Sequence, residues 1–257
     1  MSTEARLISA VKASALHLAL SMLVAGACAV IIFGVWYPWP LSEMLGGRSL
    51  FWLIVSVDVM CGPLLTLVVW NPAKGRAERI VDMGLIVAVQ LAALIYGIHT
   101  MAMARPAYLV FEVDRIRVVS VSEIEVASLR EAAGELGRLS WTGPKLISVR
   151  PPRNNDELIF SVDLSMAGLE PSLRPGWWQE YALAKAEVLQ RAQPLDLLMK
   201  KRPTRAPLLR SAAGKTGVAI DDLRWLPLTS KRDMDWIVLL HKDSAEIRGY
   251  AKVDGFF

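Results

Sequence analysis

Asp58 stands in the middle of an otherwise apolar stretch, Ser49 to Val69, with Arg48 before it and Asn71-Pro72-Ala73-Lys74 after it. A carboxyl group is costly in hydrocarbon, so it must face protein or water, and such a residue marks a functional site by default. Two chemistries are open to it. A protonated Asp58 could donate a hydrogen bond to a carboxylate or backbone carbonyl of a partner helix. It could equally be satisfied within the chain, most simply by Gln90, which lies at similar depth in another apolar run. Polar groups in membrane bundles commonly link helices, at about 0.6 kcal/mol each. Gly62-Pro63 follows one turn after Asp58. Glycine there admits a neighbouring helix and proline frees a backbone carbonyl, with a packing kink as the simpler role.

The elements that must position these residues are three apolar runs, Ala13 to Trp36, Ser49 to Trp70 and Ile80 to Met103. Each approaches the ~20 residues a helix needs to cross about 30 Å of lipid. Lys and Arg set the orientation, since basic flanks are held on the cytoplasmic side. Arg6 and Lys12 precede the first run, and Lys74, Arg76 and Arg79 separate the second from the third, whereas Arg48 alone lies between the first and second. The N-terminus is therefore expected inside and everything after Met103 outside. Trp36, Tyr37, Trp39, Phe51 and Trp52 bracket the outer loop, where amphipathic rings prefer the headgroup layer. Ala25-Gly26-Ala27-Cys28 loosely resembles a lipoprotein cleavage site, but the apolar run continues to Trp36, so a retained anchor is expected.

Composition divides the chain in the same place. Hydrophobic residues make up 53% and mean hydropathy is +0.35, with the excess before residue 105. From Arg105 to Phe257 there are 23 Lys plus Arg against 20 Asp plus Glu, the balance of a soluble domain long enough for one core. Domains 1–104 and 105–257 follow. Both cysteines, Cys28 and Cys61, fall in the apolar runs, so the outer domain has neither a disulfide nor thiol chemistry. The pI near 9.1 does not point to nucleic acid, because outer basic residues are interleaved with acids and topology explains the inner ones.

Within the outer domain, Ala107 to Ser120 is rich in β-branched and aromatic residues and reads as a strand. Ser122 with Glu125 forms a capping-box pattern, predicting a helix through about Leu136. Lys145 to Val149 reads as a short strand stopped by Pro151-Pro152, and Asn154-Asn155-Asp156 could cap a helix from Glu157 to about Ala167. Leu158 to Leu164 would also pass as a strand. Further helices are predicted over Trp177–Ala192, Leu195–Lys201 and Thr204–Ala213. Leu223–Leu228, Asp235–His241 and Ala245–Val253 read as strands, the last two joined by a Lys242-Asp243-Ser244 turn. The expected fold is a three-helix membrane domain followed by an α+β domain with antiparallel C-terminal strands.

Other candidates carry bland readings beside sharp ones. Asp82 lies beside Arg79, so an ion pair suffices, and His17 and His99 sit near span ends as interfacial residues. Asp114-Arg115, with Glu112 and Arg117, stands just after the last span; most such clusters are solvated faces or sheet pairs worth ~0.2–1 kcal/mol. Trp177-Trp178 could contact a partner's head, since Trp is enriched at binding hot spots, although core packing is the commoner role. Enzyme signatures fail: Gly214-Lys215-Thr216 echoes a phosphate-binding loop, but its required first glycine is Leu209. There is no Gly-x-Ser-x-Gly, no His-Glu-x-x-His and no cysteine pair with metal spacing. An intramembrane aspartyl protease needs two facing aspartates, and Asp58 and Asp82 fall at different depths. No catalysis and no cofactor are expected.

Val57-Asp58-Val-Met-Cys-Gly62-Pro63-Leu-Leu-Thr-Leu-Val-Val-Trp-Asn71-Pro72, then a basic turn, a third span, Arg105-Pro106-Ala-Tyr108-Leu-Val-Phe111-Glu-Val-Asp114-Arg115, Ala192-Gln193-Pro194-Leu195 and a terminal Gly249-Tyr250 hairpin recur in order and spacing. Together they make the chain resemble the TfpX/TfpZ group of type IV pilin accessory proteins over nearly its whole length. It departs at Trp70, where Phe would stand, and at Gly255-Phe-Phe257, where an Asp-Pro-aromatic ending is commoner. The resemblance implies an inner-membrane, chaperone-like helper that modulates pilin stability or surface piliation. Its partners would be the pilin subunit, other pilus assembly proteins and the bilayer. A pilin is a single apolar helix with a buried acidic residue near its N-terminus and a globular head outside. Polar groups in the spans and a folded outer domain could engage both parts. A membrane-anchored envelope sensor or transporter subunit, with Asp58 carrying protons or reading a small ligand, is the other class open.

Overall fold

The computed structural model describes residues 3–257, which divide into two compact units, the first ending at Ala104 and the second running from Arg105 to Phe257. The first unit is helical. Helix α1 (Thr3–Ile31) ends in a π-helical turn, Ile32–Trp36, and a short α2 (Leu41–Met44) leads into α3 (Gly47–Val69) and α4 (Arg76–Ala104). Thr3–Trp36, Gly47–Val69 and Arg76–Ala104 are all long and apolar enough to cross a membrane.

Helix α3 is the central one, packing against α1 on one side and α4 on the other. Its Ile54 Cγ2 would stand only 2.5 Å from a Cβ at Gly97 of α4, so glycine is what permits that approach. At the end nearest Ala104, Ile32, Tyr37, Phe51 and Met101 form a buried cluster, and the Tyr37 hydroxyl donates to the Met101 carbonyl at 3.0 Å.

The second unit is built on one eight-stranded sheet in the order β4-β3-β1-β2-β6-β7-β8, with β5 paired to β6. Its strands are β1 (Pro106–Glu112), β2 (Arg115–Ser120), β3 (Lys145–Val149), β4 (Trp178–Glu180), β5 (Gln193–Pro194), β6 (Leu223–Thr229), β7 (Trp236–His241) and β8 (Ile247–Ala251). Helices α5 (Asn155–Met166), α6 (Lys185–Arg191), α7 (Leu195–Lys201) and α8 (Ala206–Thr216) lie between them. Leu195, Leu198, Leu209 and Ala213 pack against Leu223, Trp225, Ile237 and Leu239, so α7 and α8 cover one face of the β6-β7-β8 meander. Each of the buried Leu and Ile side chains contributes about 1.5–3 kcal/mol on leaving water.

Four local expectations need correction. The span from Ala107 to Ser120 is a hairpin, not one strand, because the chain reverses at Val113-Asp114: the Asp114 N–H donates to the Glu112 carbonyl at 2.6 Å. Val113 takes φ +54°, a left-handed conformation uncommon for a β-branched residue. The capping box is Ser120 with Glu123, not Ser122 with Glu125, and it opens three short 3-10 segments rather than one helix to Leu136. Asn154 does cap a helix there, its Oδ1 accepting the Glu157 N–H at 2.8 Å, so the strand alternative for Leu158–Leu164 falls. Trp178–Glu180 leaves the predicted Trp177–Ala192 helix to pair with β3, and only Lys185–Arg191 is α-helical. The last helix runs from Ala206 to Thr216 and is stopped by Gly217, whose φ of +69° suits a C-terminal cap. The sheet also contains two parallel pairs: β1 with β3 on one side of the first hairpin, and β2 with β6 on the other, the latter joining the hairpin to the C-terminal meander.

Candidate functional site

Asp58 lies eleven residues from each end of α3, about 16 Å at 1.5 Å per residue, so it is at mid-depth in the helix. Gln90 of α4 reaches it: Nε2 donates to the Asp58 carbonyl at 2.8 Å and to Oδ1 at 3.2 Å. Gly62 makes room for this bridge, since a Cβ there would fall 2.0 Å from Gln90 Nε2. The Pro63 carbonyl accepts the Ser14 hydroxyl at 2.8 Å, so the Gly62-Pro63 pair fastens α3 to both neighbours and is more than a kink. In an environment without water, each such polar group must find a partner inside the protein.

The α1 side has three links that reading by residue type did not find. Trp70 Nε1 donates to the Ser9 hydroxyl at 3.0 Å, and His17 Nδ1 lies 2.6 Å from the Thr66 hydroxyl. With the Ser14 bond they tie α1 to the second half of α3. His17 is therefore a helix-linking residue, not simply interfacial, whereas His99 is exposed. A signal was present: Ser14, His17 and Ser21 recur at spacings of three and four, along one helix face. Asp82 pairs with Lys74 at 2.6 Å and not with Arg79, whose guanidinium lies 5.9 Å from the Trp70 ring centre. Asn71 accepts the Ala73 N–H at 3.0 Å and, with Pro72, forms the turn that ends α3.

In the second unit the remaining candidates separate. Asp114 and Arg115 pair at 2.9 Å, both substantially exposed, and Arg115 also lies 5.2 Å from the Phe256 ring centre. Such a pair adds little stability. Glu112 is buried and accepts the Ser172 N–H at 3.0 Å. Trp178 is in the core, donating to the Ser172 carbonyl at 2.9 Å and packing on Tyr108 with 4.4 Å between ring centres. Burial pushes the Tyr108 hydroxyl up to about 12. Trp177 is only half-buried, with the guanidinium groups of Arg150 and Arg174 at 4.5 and 4.6 Å from its ring centre. Arg150 also grips Glu157 through two bonds of 3.0 and 2.7 Å, and with the Arg153 N–H it holds the Glu157 carboxyl down to about 2. Trp177, Arg115 and Glu112 line one groove of about 560 Å³ along α5. Asp114 lines a different one near Trp225. Asp58, Gly62, Pro63 and Gln90 are thus the predicted residues that form a single cluster. Among the described residues, no group of three or more His, Cys, Asp or Glu stands together as a metal site would require.

Residues 5–46, which carry Ser9, Ser14 and His17, match the family model described as "Fimbrial assembly protein FimB". Fimbrial assembly proteins of Dichelobacter nodosus, serogroups I and E1, are each 36% identical to the chain over 252 residues, 98% of this chain and 98% of theirs. The chain belongs to the FimB fimbrial assembly protein family. The fimbrial assembly protein of serogroups C1 and C2 of the same organism is 45% identical over 127 residues, which is 49% of this chain and 97% of that protein. No solved structure matches. Because the FimB-family likeness to the first two relatives covers 98% of the chain, it takes in the helical unit and the sheet domain alike.

Proposed function

We propose that the chain is a non-catalytic accessory protein of type IV pili, held in the inner membrane, which acts on the pilin subunit in a chaperone-like way and so sets pilin stability or surface piliation. The observation that carries this reading is the 36% identity, along the whole chain, to proteins named for fimbrial assembly, joined to three membrane-length helices. The likeness to the TfpX/TfpZ group supports the finer part of it, as does the distribution of Lys and Arg, which favours a cytoplasmic N-terminus and a periplasmic sheet domain. On this reading the helices meet the membrane-embedded part of pilin and the sheet domain meets its head, while other pilus assembly proteins are further partners.

The test is a strain lacking the chain, scored for pili on the cell surface and for total pilin. Surface pili should fall at least severalfold and return when the intact gene is supplied. Normal piliation in the deletion strain would overturn the proposal.

A further inference from the structure

Between α1 and α4 a cleft of about 590 Å³ opens on the side of the bundle. It follows α1 from Ser9 to Val24, about 22 Å of helix. Its walls are largely aliphatic, with Leu16 and Leu20 from α1 facing Val87 and Leu91 from α4, and Ser9, Lys12, His17 and Ser21 add polar groups on the α1 side. Of α3 only Asp58 reaches it, together with Trp70 just past the helix end. Trp70 is spoken for by Ser9, but Asp58 has only Oδ1 bonded, to Gln90. No bond to Oδ2 is present among the described residues, and the carboxyl group reaches an apolar trough at mid-depth.

An acyl chain could fill that trough but has nothing to offer a carboxyl group, and hydrocarbon holds no water to supply the missing partner. A second copy of the chain is also poorly matched. At the level of Asp58 its outward positions include Val57, Met60, Val89 and Cys61, of which only the cysteine has a donor, a weak one. A helix that is apolar along its flank and brings one strong hydrogen-bonding group level with Asp58 meets both requirements: the flank fills the walls and the polar group completes Asp58.

We infer that the α1–α4 cleft is the seat of a single membrane-spanning helix from another protein, whose lone polar group bonds to the free side of Asp58. The inference rests on the accessory reading above, and the occupant it commits to is the membrane helix of the pilin subunit. Gln90 then has a positioning role, holding the Asp58 carboxyl group toward the cleft from Oδ1.

The test places a photo-crosslinking residue in the full-length chain, in cells making pilin. Leu20 and Leu91 are wall positions, while Leu53 and Val68 are exposed on α3 and line no part of the cleft. Pilin adducts should be at least fivefold stronger from Leu20 and Leu91 than from Leu53 and Val68. Asp58→Leu, at unchanged abundance, should lower the wall adducts at least fivefold. Equal adducts from both sets of positions, wall adducts to lipid or to a second copy alone, or wall adducts indifferent to Asp58→Leu would each overturn the inference. If Asp58→Leu lowers abundance, the comparison of wall with outward positions in the unsubstituted chain still decides. Defective piliation in the deletion strain with no wall adduct would remove the cleft and leave the accessory role standing.

Discussion

The helical unit and the sheet domain are held together by different means. In the first, α3 is tied to its neighbours by a few discrete bonds, Ser9–Trp70, Ser14–Pro63, His17–Thr66 and Gln90–Asp58, and by close approach at glycines. In the second, ten buried residues, nine from two helices and three strands and Val253 just after the last strand, form one apolar cluster beneath a continuous sheet. The contrast follows from the medium. Lipid tails are as apolar as leucine, so burying another aliphatic side chain between membrane helices gains little, and packing and hydrogen bonds must specify the arrangement. Where water is the alternative, area removed from it dominates. A helical unit organised this way can leave one side of its central helix open at modest cost, as the cleft does.

The contrast can be broken by substitution. Leu239→Ala in the sheet domain, where Leu239 is fully buried, should cost about 2–5 kcal/mol in unfolding of the full-length protein followed by tryptophan fluorescence. A loss below that range would mean that the meander is not where the domain's stability resides. Gly97→Ala in α4 forces a methyl group toward Ile54, a β-branched residue that cannot swing aside, and should cost about 1–3 kcal/mol in reversible unfolding in mixed micelles. Gln90→Leu keeps the shape but removes the bridge to Asp58, and should cost only ~0.6 kcal/mol in the same assay. If Gln90→Leu proved costlier than Gly97→Ala, hydrogen bonding rather than packing would be the chief organiser of the helices.

The smallest effect concerns pH. Glu157 titrates near 2 in the folded protein against an ordinary 4.5, so its contribution to stability is present above about pH 4.5 and lost as pH falls toward 2. Glu157→Gln should flatten that part of the stability profile by removing the increment that the ionised carboxylate contributes at neutral pH, so the two proteins should differ at pH 7 and converge near pH 2. An identical acid slope in both proteins would show that the grip of Arg150 on this exposed carboxylate has no thermodynamic weight.

The membrane-length helices were plain in the sequence because a run of some twenty apolar residues has few other uses. Their ends were not, since α1 and α4 extend through polar residues such as Glu4, Arg6 and Glu78 that interrupt the apolar signal but not the helix. The C-terminal strands were legible from β-branched and aromatic runs. The middle of the domain was not. Glu180 pairs with Ile147, and that long-range partner draws Trp178–Glu180 out of a helix that local propensity favours. The first hairpin was hidden because its turn has no Gly or Asn, only Val113 in a conformation a sequence reader would not assign to valine. Of the candidate site, the Asp58–Gln90 pairing followed from depth and polarity. The cleft did not, because an unfilled space between helices depends on which pairs fail to pack, and no single residue encodes that.

The parallel pairing of β2 with β6 has a kinetic corollary. Ile116 and Arg117 find their partners in Leu228 and Thr229, roughly a hundred residues further along the chain. Until that late segment has been synthesised, one flank of β2 offers unsatisfied amide and carbonyl groups to any passing strand. A polypeptide stopped short of Leu223 would keep that flank bare for its lifetime, an invitation to aggregate that the finished fold closes.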